Sequence, residues 1–236
     1  MKNSNLLLGL LPLLLVIISC EPQEESLLQP SAITTDPDMG IETAALDEKF
    51  GLEHAREPAY LKSQSQVFDF ATEQQIPNAF SKMLRSEKGV LGFIHTRNLN
   101  PEYAYTVWMV VFANPDNCSL GACDENDIFN EDGTLIVNPD GTFGTPGVDL
   151  SLLWVDGKVS SSKGAANFFF RVRTGEAPGE LLFGPGLIDA IGSEIHYVIR
   201  DHGPIIPELL EEQLSTFAGG CDINICDDVQ FAIHQP

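Results

Sequence analysis

Histidines and carboxylates are the side chains of this 236-residue sequence best suited to chemistry. His196 and His202 have the same parity, so on one strand they share a face with Val198 and Arg200. His95 and His234 fall in two other apolar stretches. Imidazoles gathered from different strands bind copper or zinc, and His196, His202, His95 and His234 form the candidate transition-metal set. The plain alternative makes His202 a turn residue, His196 an exposed strand residue and His95 a packing residue beside Leu91 and Phe93. A second set is acidic. Asp124, Asp127 and Asp132, in the Asp-rich stretch 116–140, are candidate calcium ligands, because hard cations take carboxylate and carbonyl oxygens. The run Asp124-Glu125-Asn126-Asp127 lacks the glycine that a helix-loop-helix calcium site needs, so a solvated acidic loop is the alternative. The third set is Arg200-Asp201-His202. A carboxylate beside an imidazole fixes its tautomer. Adjacent strand residues face opposite ways, however, and an exposed Arg200–Asp201 ion pair is the simpler reading. No Gly-x-Ser-x-Gly elbow is present, so a hydrolase ranks behind both a binding protein and a metal protein.

These residues need strands to position them. The stretch Tyr103–Ala113 holds aromatics, valines and a threonine with no charge, glycine or proline. Turn residues bound it on both sides, and both of its faces are apolar, as for a central strand covered on two sides. Strands are also expected at Gln66–Ala71, Phe80–Arg85, Val90–Thr96, Val148–Val155, Ala165–Arg173, Leu181–Phe183, Glu194–Arg200 and Val229–His234. Val229, Phe231 and Ile233 share a face of the last one. Ser86-Glu87-Lys88-Gly89 and Asp156-Gly157 read as hairpin turns. Leu135-Ile136-Val137 reads as one short strand inside the long, polar connection 114–147. Helices are expected at Glu42–Phe50 and, more clearly, at Pro207–Phe217, where Leu210, Leu214 and Phe217 form a stripe. No internal repeat stands out. The pattern predicts a mainly β chain: an antiparallel β-sandwich of Greek-key or Ig-like type, with one short helix in the C-terminal region.

Composition narrows the partners. The formal net charge is −21, from 13 Lys and Arg against 34 Asp and Glu. Such a charge argues against nucleic acid and anionic lipid headgroups, and leaves cations, basic proteins or neutral glycans as ligands. Cys118 and Cys123, and Cys221 and Cys226, form two closely spaced pairs. Four cysteines allow three connectivities, and local pairing is the simplest. Each local bridge closes a small loop and contributes about 2 kcal/mol. A bridge between the two loops, or a four-cysteine zinc site, stands as the alternative.

The start of the chain carries an address. Met1-Lys2-Asn3 is basic, Leu6–Ile18 is apolar, and Ile17-Ile18-Ser19-Cys20 closes the run. About 20 apolar residues are needed to cross a bilayer, so this shorter run reads as an export signal. Ile17–Cys20 resembles the lipobox of bacterial lipoproteins. That resemblance implies removal of residues 1–19, acylation of Cys20 and a membrane anchor in the cell envelope. Lys2 is the single charge removed, which takes −21 to −22 in the mature chain. Residues 20–40 read as an acidic, Pro-containing tether, and 41–236 as one domain. Gln23-Glu24-Glu25 is similar to the acidic export signal of surface-exposed lipoproteins of Bacteroidetes. Further on, Tyr105–Phe112, Glu194–Pro204 and Asp228–His234 resemble secreted bacterial Greek-key sandwiches such as chordin-type domains, which implies a fold and no activity. The anchor has a direct test. Replacing Cys20→Ser should move the protein from the membrane fraction to the soluble one, and an unchanged distribution and mass would refute acylation.

Overall fold

The computed structural model describes residues 60–236; the lipobox, the tether and the expected Glu42–Phe50 helix lie outside the described residues. Nine strands form one antiparallel sheet: β1 Leu61–Asp69, β2 Gln75–Ser86, β3 Gly89–Thr96, β4 Tyr103–Phe112, β5 Leu150–Val159, β6 Ala166–Arg173, β7 Leu181–Phe183, β8 Glu194–Pro204 and β9 Asp227–His234. Their order across the sheet is β6-β3-β2-β1-β9-β8-β4-β5-β7. β5 and β6 lie seven strand spacings apart in that order. In a flat sheet that separation would be about 34 Å. Yet residues 160–165 join them directly, and a link this short spans at most about 25 Å. The sheet therefore curls until its ends approach. Across the seam the Phe169 N–H donates to Asp156 Oδ2 at 3.0 Å, and the Ser161 N–H donates to Ala165 O at 2.9 Å. The antiparallel, mainly β expectation holds, but one curled half-barrel replaces two separate sheets.

The curl encloses a core. Phe168, Phe170 and Val172 of β6 pack inside with Met83, Ile94, Met109, Leu153 and Ile195. Each large apolar side chain buried in this way contributes about 1.5–3 kcal/mol. Gly92 sits on β3 where a Cβ would overlap the Phe170 ring, so the absent side chain is what lets that ring lie flat against the sheet. β4 lies between β8 and β5, and all of it but Tyr103 is buried. Tyr105, Val107, Met109 and Val111 face the core, while Val110 and Phe112 face outward into a second apolar cluster with Val148, Leu150 and the Cys118 and Cys123 sulfurs. The two-sided apolar pattern of β4 thus has two separate causes. One side meets the opposite wall of the half-barrel and the other meets connecting segments.

On β9, Val229, Phe231 and Ile233 share a face as expected and are half-buried, while the buried residues are Gln230, Ala232 and His234 on the other face. Gln230 turns inward because it has partners there. It accepts from the Thr96 hydroxyl and donates from Nε2 to Arg97 O at 2.8 Å. Phe231 instead stacks outside on Phe68, with centroids 5.5 Å apart. Asp156-Gly157 is no turn but lies within β5, beside a register shift against β4. The helix is shorter than its apolar stripe implies. A 3₁₀ turn at Pro207–Leu209 leads into α1, Leu210–Ser215, and Thr216 is already extended. Phe217 leaves the helix to meet Trp108 edge-on at 5.1 Å.

The connection 114–147 also contains a repeat. Asn130-Glu131-Asp132-Gly133-Thr134 recurs as Asn138-Pro139-Asp140-Gly141-Thr142. In both copies the Asn N–H donates to the Thr carbonyl at 2.8 Å, and the Asp carboxylate accepts from the Thr N–H at 3.0 Å. The copies stack in series: Ile136 N–H donates to Ile128 O at 2.9 Å and Gly144 N–H to Ile136 O at 3.0 Å. Leu135-Ile136-Val137 lies between the two turns and forms isolated bridges instead of a strand.

α1 docks where β5 has no side chain. A Cβ on Gly157 would overlap the carbonyl of Leu214, and the same carbonyl accepts from Trp154 Nε1 at 2.9 Å. Gly157→Ala should therefore destabilise the fold by about 1–3 kcal/mol, the usual cost of overpacking. Urea denaturation would read this directly, and an unchanged midpoint would show that the helix does not sit there.

Candidate functional site

The structure places each of the four candidate histidines in a different setting. His202 is buried on the outer side of β8. Its Nδ1–H donates to the Gly219 carbonyl at 2.8 Å, so Nε2 accepts from the Thr106 hydroxyl at 2.7 Å. Thr106 in turn accepts from Trp108 Nε1 at 2.8 Å. This chain fixes one neutral tautomer, and burial pulls the imidazole pKa below its ordinary value. His234 lies inside the half-barrel, with Ser63 Oγ at Nδ1 and Ser81 Oγ at Nε2, each at 2.8 Å. Burial, then the nearby Arg85 and His196, push it down to about 4. His196 donates from Nε2 to Glu194 Oε1 at 2.6 Å and packs on Phe112, with centroids 4.9 Å apart. His95 stands on β3, held by Asn167 at 2.7 Å and Arg97 at 3.3 Å.

Among the described residues, no three of these imidazoles come together as a donor set. Two other groups do place three donor atoms within 4.8 Å: His202 with Cys221 and Cys226, and Asp127 with Cys118 and Cys123. In both, the sulfurs are already joined as local disulfides, Cys118–Cys123 and Cys221–Cys226, and the thiolate is the form that ligates a metal. The local connectivity is thus the one adopted.

The calcium candidates are each committed elsewhere. Asp127 is fully buried. Its Oδ1 accepts from Ser119 N–H and the Thr145 hydroxyl, each at 2.8 Å, and Oδ2 accepts from Asp124 N–H at 3.2 Å. Burial alone would raise its pKa, but these donated bonds outweigh burial and hold the carboxyl below the usual range. Asp124 caps the Asn126 N–H at 2.8 Å, and Asp132 caps the Thr134 N–H at 3.0 Å. The three carboxylates brace turns and do not converge.

Arg200-Asp201-His202 is corrected too. Arg200 pairs with Asp228 at 2.7 Å and lies over the Phe217 ring at 4.0 Å. Asp201 turns inward, accepting from the Tyr105 hydroxyl at 2.9 Å and the Gly203 N–H at 2.6 Å. Burial, then Asp201, raises the Tyr105 phenol pKa. The core also holds Arg85. Its guanidinium donates to Ser193 O at 2.5 Å and to His234 O at 2.9 Å. Arg85 Nε and the Tyr197 hydroxyl are the two buried side-chain polar atoms without a partner among the described residues.

The remaining candidate is a surface. β2, β3 and β6 contain no Asp or Glu, in a chain that carries 34. Lys82 and Arg171 lie on them between buried neighbours, facing away from the core, Arg173 ends β6 paired with Glu176 at 3.5 Å, and Arg97 lies just past β3 and Lys62 on the adjoining β1. Phe80 and Phe93 sit among them half-exposed, with centroids 5.8 Å apart. Phe80 also meets His95 at 5.6 Å, and Lys82 Nζ lies 5.2 Å from the Phe80 centroid. Register produces this cluster, since Phe80 pairs with His95, Lys82 with Phe93, and Leu91 with Arg171. The acids gather elsewhere: residues 98–157 contain no Lys or Arg. Summing the charge over the chain concealed this segregation. Plotting it along the sequence would have exposed acid-free strands, although their shared face depends on the sheet order.

His234 supplies a pH test. Its folded pKa of about 4 lies below the ordinary 6.5, so the unfolded state takes up the proton first. Stability should fall as pH drops below about 6.5 and level off below about 4, at about 1.4 kcal/mol per unit and about 3 kcal/mol in all. His202 acts with the same sign. Denaturation midpoints from pH 7 to 5 should fall more steeply for the wild type than for His234→Asn. Parallel curves would show that His234 does not carry the effect. Comparison with known proteins returns no matching family model, no matching curated protein and no matching solved structure.

Proposed function

We propose that this chain is a lipid-anchored, extracytoplasmic binding module of a bacterial cell envelope, and that the outward face of β2, β3 and β6 is its docking surface. The observation that carries the reading is the segregation of cations and half-exposed phenylalanines onto three acid-free strands. A chain of net charge −21 has no solubility need for such a face. Aromatic and arginine side chains are also the types enriched at binding surfaces. The lipobox-like Ile17–Cys20 supports the envelope address. The two local disulfides suit an oxidising compartment. Among the described residues no helix is long and apolar enough to cross a membrane, which is consistent with attachment through lipid at Cys20. The two walls of the curled sheet face each other across one core, and on that basis we read it as a sandwich-like member of the Greek-key class.

The test uses the mature chain carrying Cys20→Ser, so that retention on isolated bacterial envelopes depends on the fold and not on the anchor. Retention should be strong for that protein and lost in Phe93→Ala combined with Lys82→Glu, at an unchanged melting temperature. Retention insensitive to those changes, or lost instead on changing the exposed Leu120, would place the docking surface elsewhere.

A further inference from the structure

The docking face identifies the chemistry of its occupant. We infer that it takes an acidic glycan, a polysaccharide whose sugar rings carry carboxylate or sulfate groups. This rests on the reading of the face as a binding surface. Two features point the same way. Lys62, Lys82, Arg97 and Arg171 project from neighbouring strands of a face whose strands β2, β3 and β6 bear no carboxylate. That charge is complementary to a polyanion and opposite to the net charge of −21. Phe80 and Phe93, half-exposed and 5.8 Å apart, offer apolar surfaces between the cations. The C–H face of a pyranose ring packs on such surfaces, while its acidic substituents reach the flanking ammonium and guanidinium groups. His95 bonds to Asn167 through Nδ1 and to Arg97 through Nε2, so it forms a hydrogen-bonding edge beside Phe80.

Two rival polyanions could meet the same cations. A single-stranded nucleic acid would stack its bases on the aromatics. An anionic bilayer would meet Lys and Arg without needing the rings. The glycan is favoured because the lipobox-like start puts this face outside the cytoplasm, and because a flat membrane surface gives half-buried rings nothing to stack on.

Direct binding measurements on the mature Cys20→Ser protein separate these outcomes. The probes are polygalacturonate, uncharged dextran, single-stranded DNA of matched charge, and vesicles of phosphatidylglycerol. Polygalacturonate should bind, dextran should not, and added salt should weaken the binding. Lys82→Glu with Arg171→Glu should weaken it at least tenfold. Phe93→Ala should also weaken it, and Glu211→Gln on α1 should leave it unchanged. Melting temperatures show that each variant remains folded. DNA or vesicles binding more tightly than polygalacturonate would overturn the glycan assignment. Dextran binding that Phe93→Ala abolishes and Lys82→Glu spares would overturn the acidic class while leaving the docking face intact. Polygalacturonate binding unaffected by all three face substitutions would overturn both.

Discussion

One short connection constrains everything else in this fold. Residues 160–165 tie β5 to β6, strands that stand near opposite ends of the hydrogen-bonded order. A sheet so tied cannot stay flat. It curls, and the Asp156 carboxylate takes the Phe169 amide across the seam where ladder bonds would otherwise run. Curling also decides what each strand face meets. The inward faces share one apolar core. The outward faces of β4, β5 and β8 are covered by the connection 114–147 and by the segment around α1. The outward face of β2, β3 and β6 carries exposed cations and half-exposed rings.

Most of the polar groups that looked chemically promising are spent on holding this arrangement. His202 closes a chain from Trp108 through Thr106 to Gly219, which pins the segment after α1 to the outside of β4. Asp127 draws Ser119, Asp124 and Thr145 together, so the long acidic connection is folded around a carboxylate. Arg85 gathers the carbonyls of Ser193 and His234 from two segments. Each is a buried polar group whose loss would leave its partners unsatisfied, which costs about 1–3 kcal/mol apiece. Such groups specify one packing. Their burial and their bonds to neighbouring segments suit a structural role better than contact with a ligand.

The sequence disclosed strands more readily than faces. β4 was legible because an uninterrupted apolar and β-branched run has few other uses. The inward set Phe168, Phe170 and Val172 was legible because β6 alternates cleanly. On β9 the shared face of Val229, Phe231 and Ile233 was legible, but not that it is the outer one: Gln230 and His234 are buried through partners on β1, β2 and β3 that no local pattern reveals. Asp156-Gly157 looked like a turn because that dipeptide usually is one. Here the glycine makes room for α1 and the aspartate seals the seam. The local disulfides followed from spacing. The basic face could not follow from spacing, since Lys82, Phe93 and Arg171 lie far apart in the chain and meet only through register.

The measurement that tests this account most directly is a backbone NMR titration of the mature, unlipidated protein with a short oligogalacturonate. Shift changes confined to β2, β3 and β6 and to the adjoining Lys62 and Arg97, with β4 and the 114–147 connection silent, are the predicted result. Changes centred on 114–147, or spread evenly over the acidic surface, would contradict the claim that the curled sheet leaves this one face to bind.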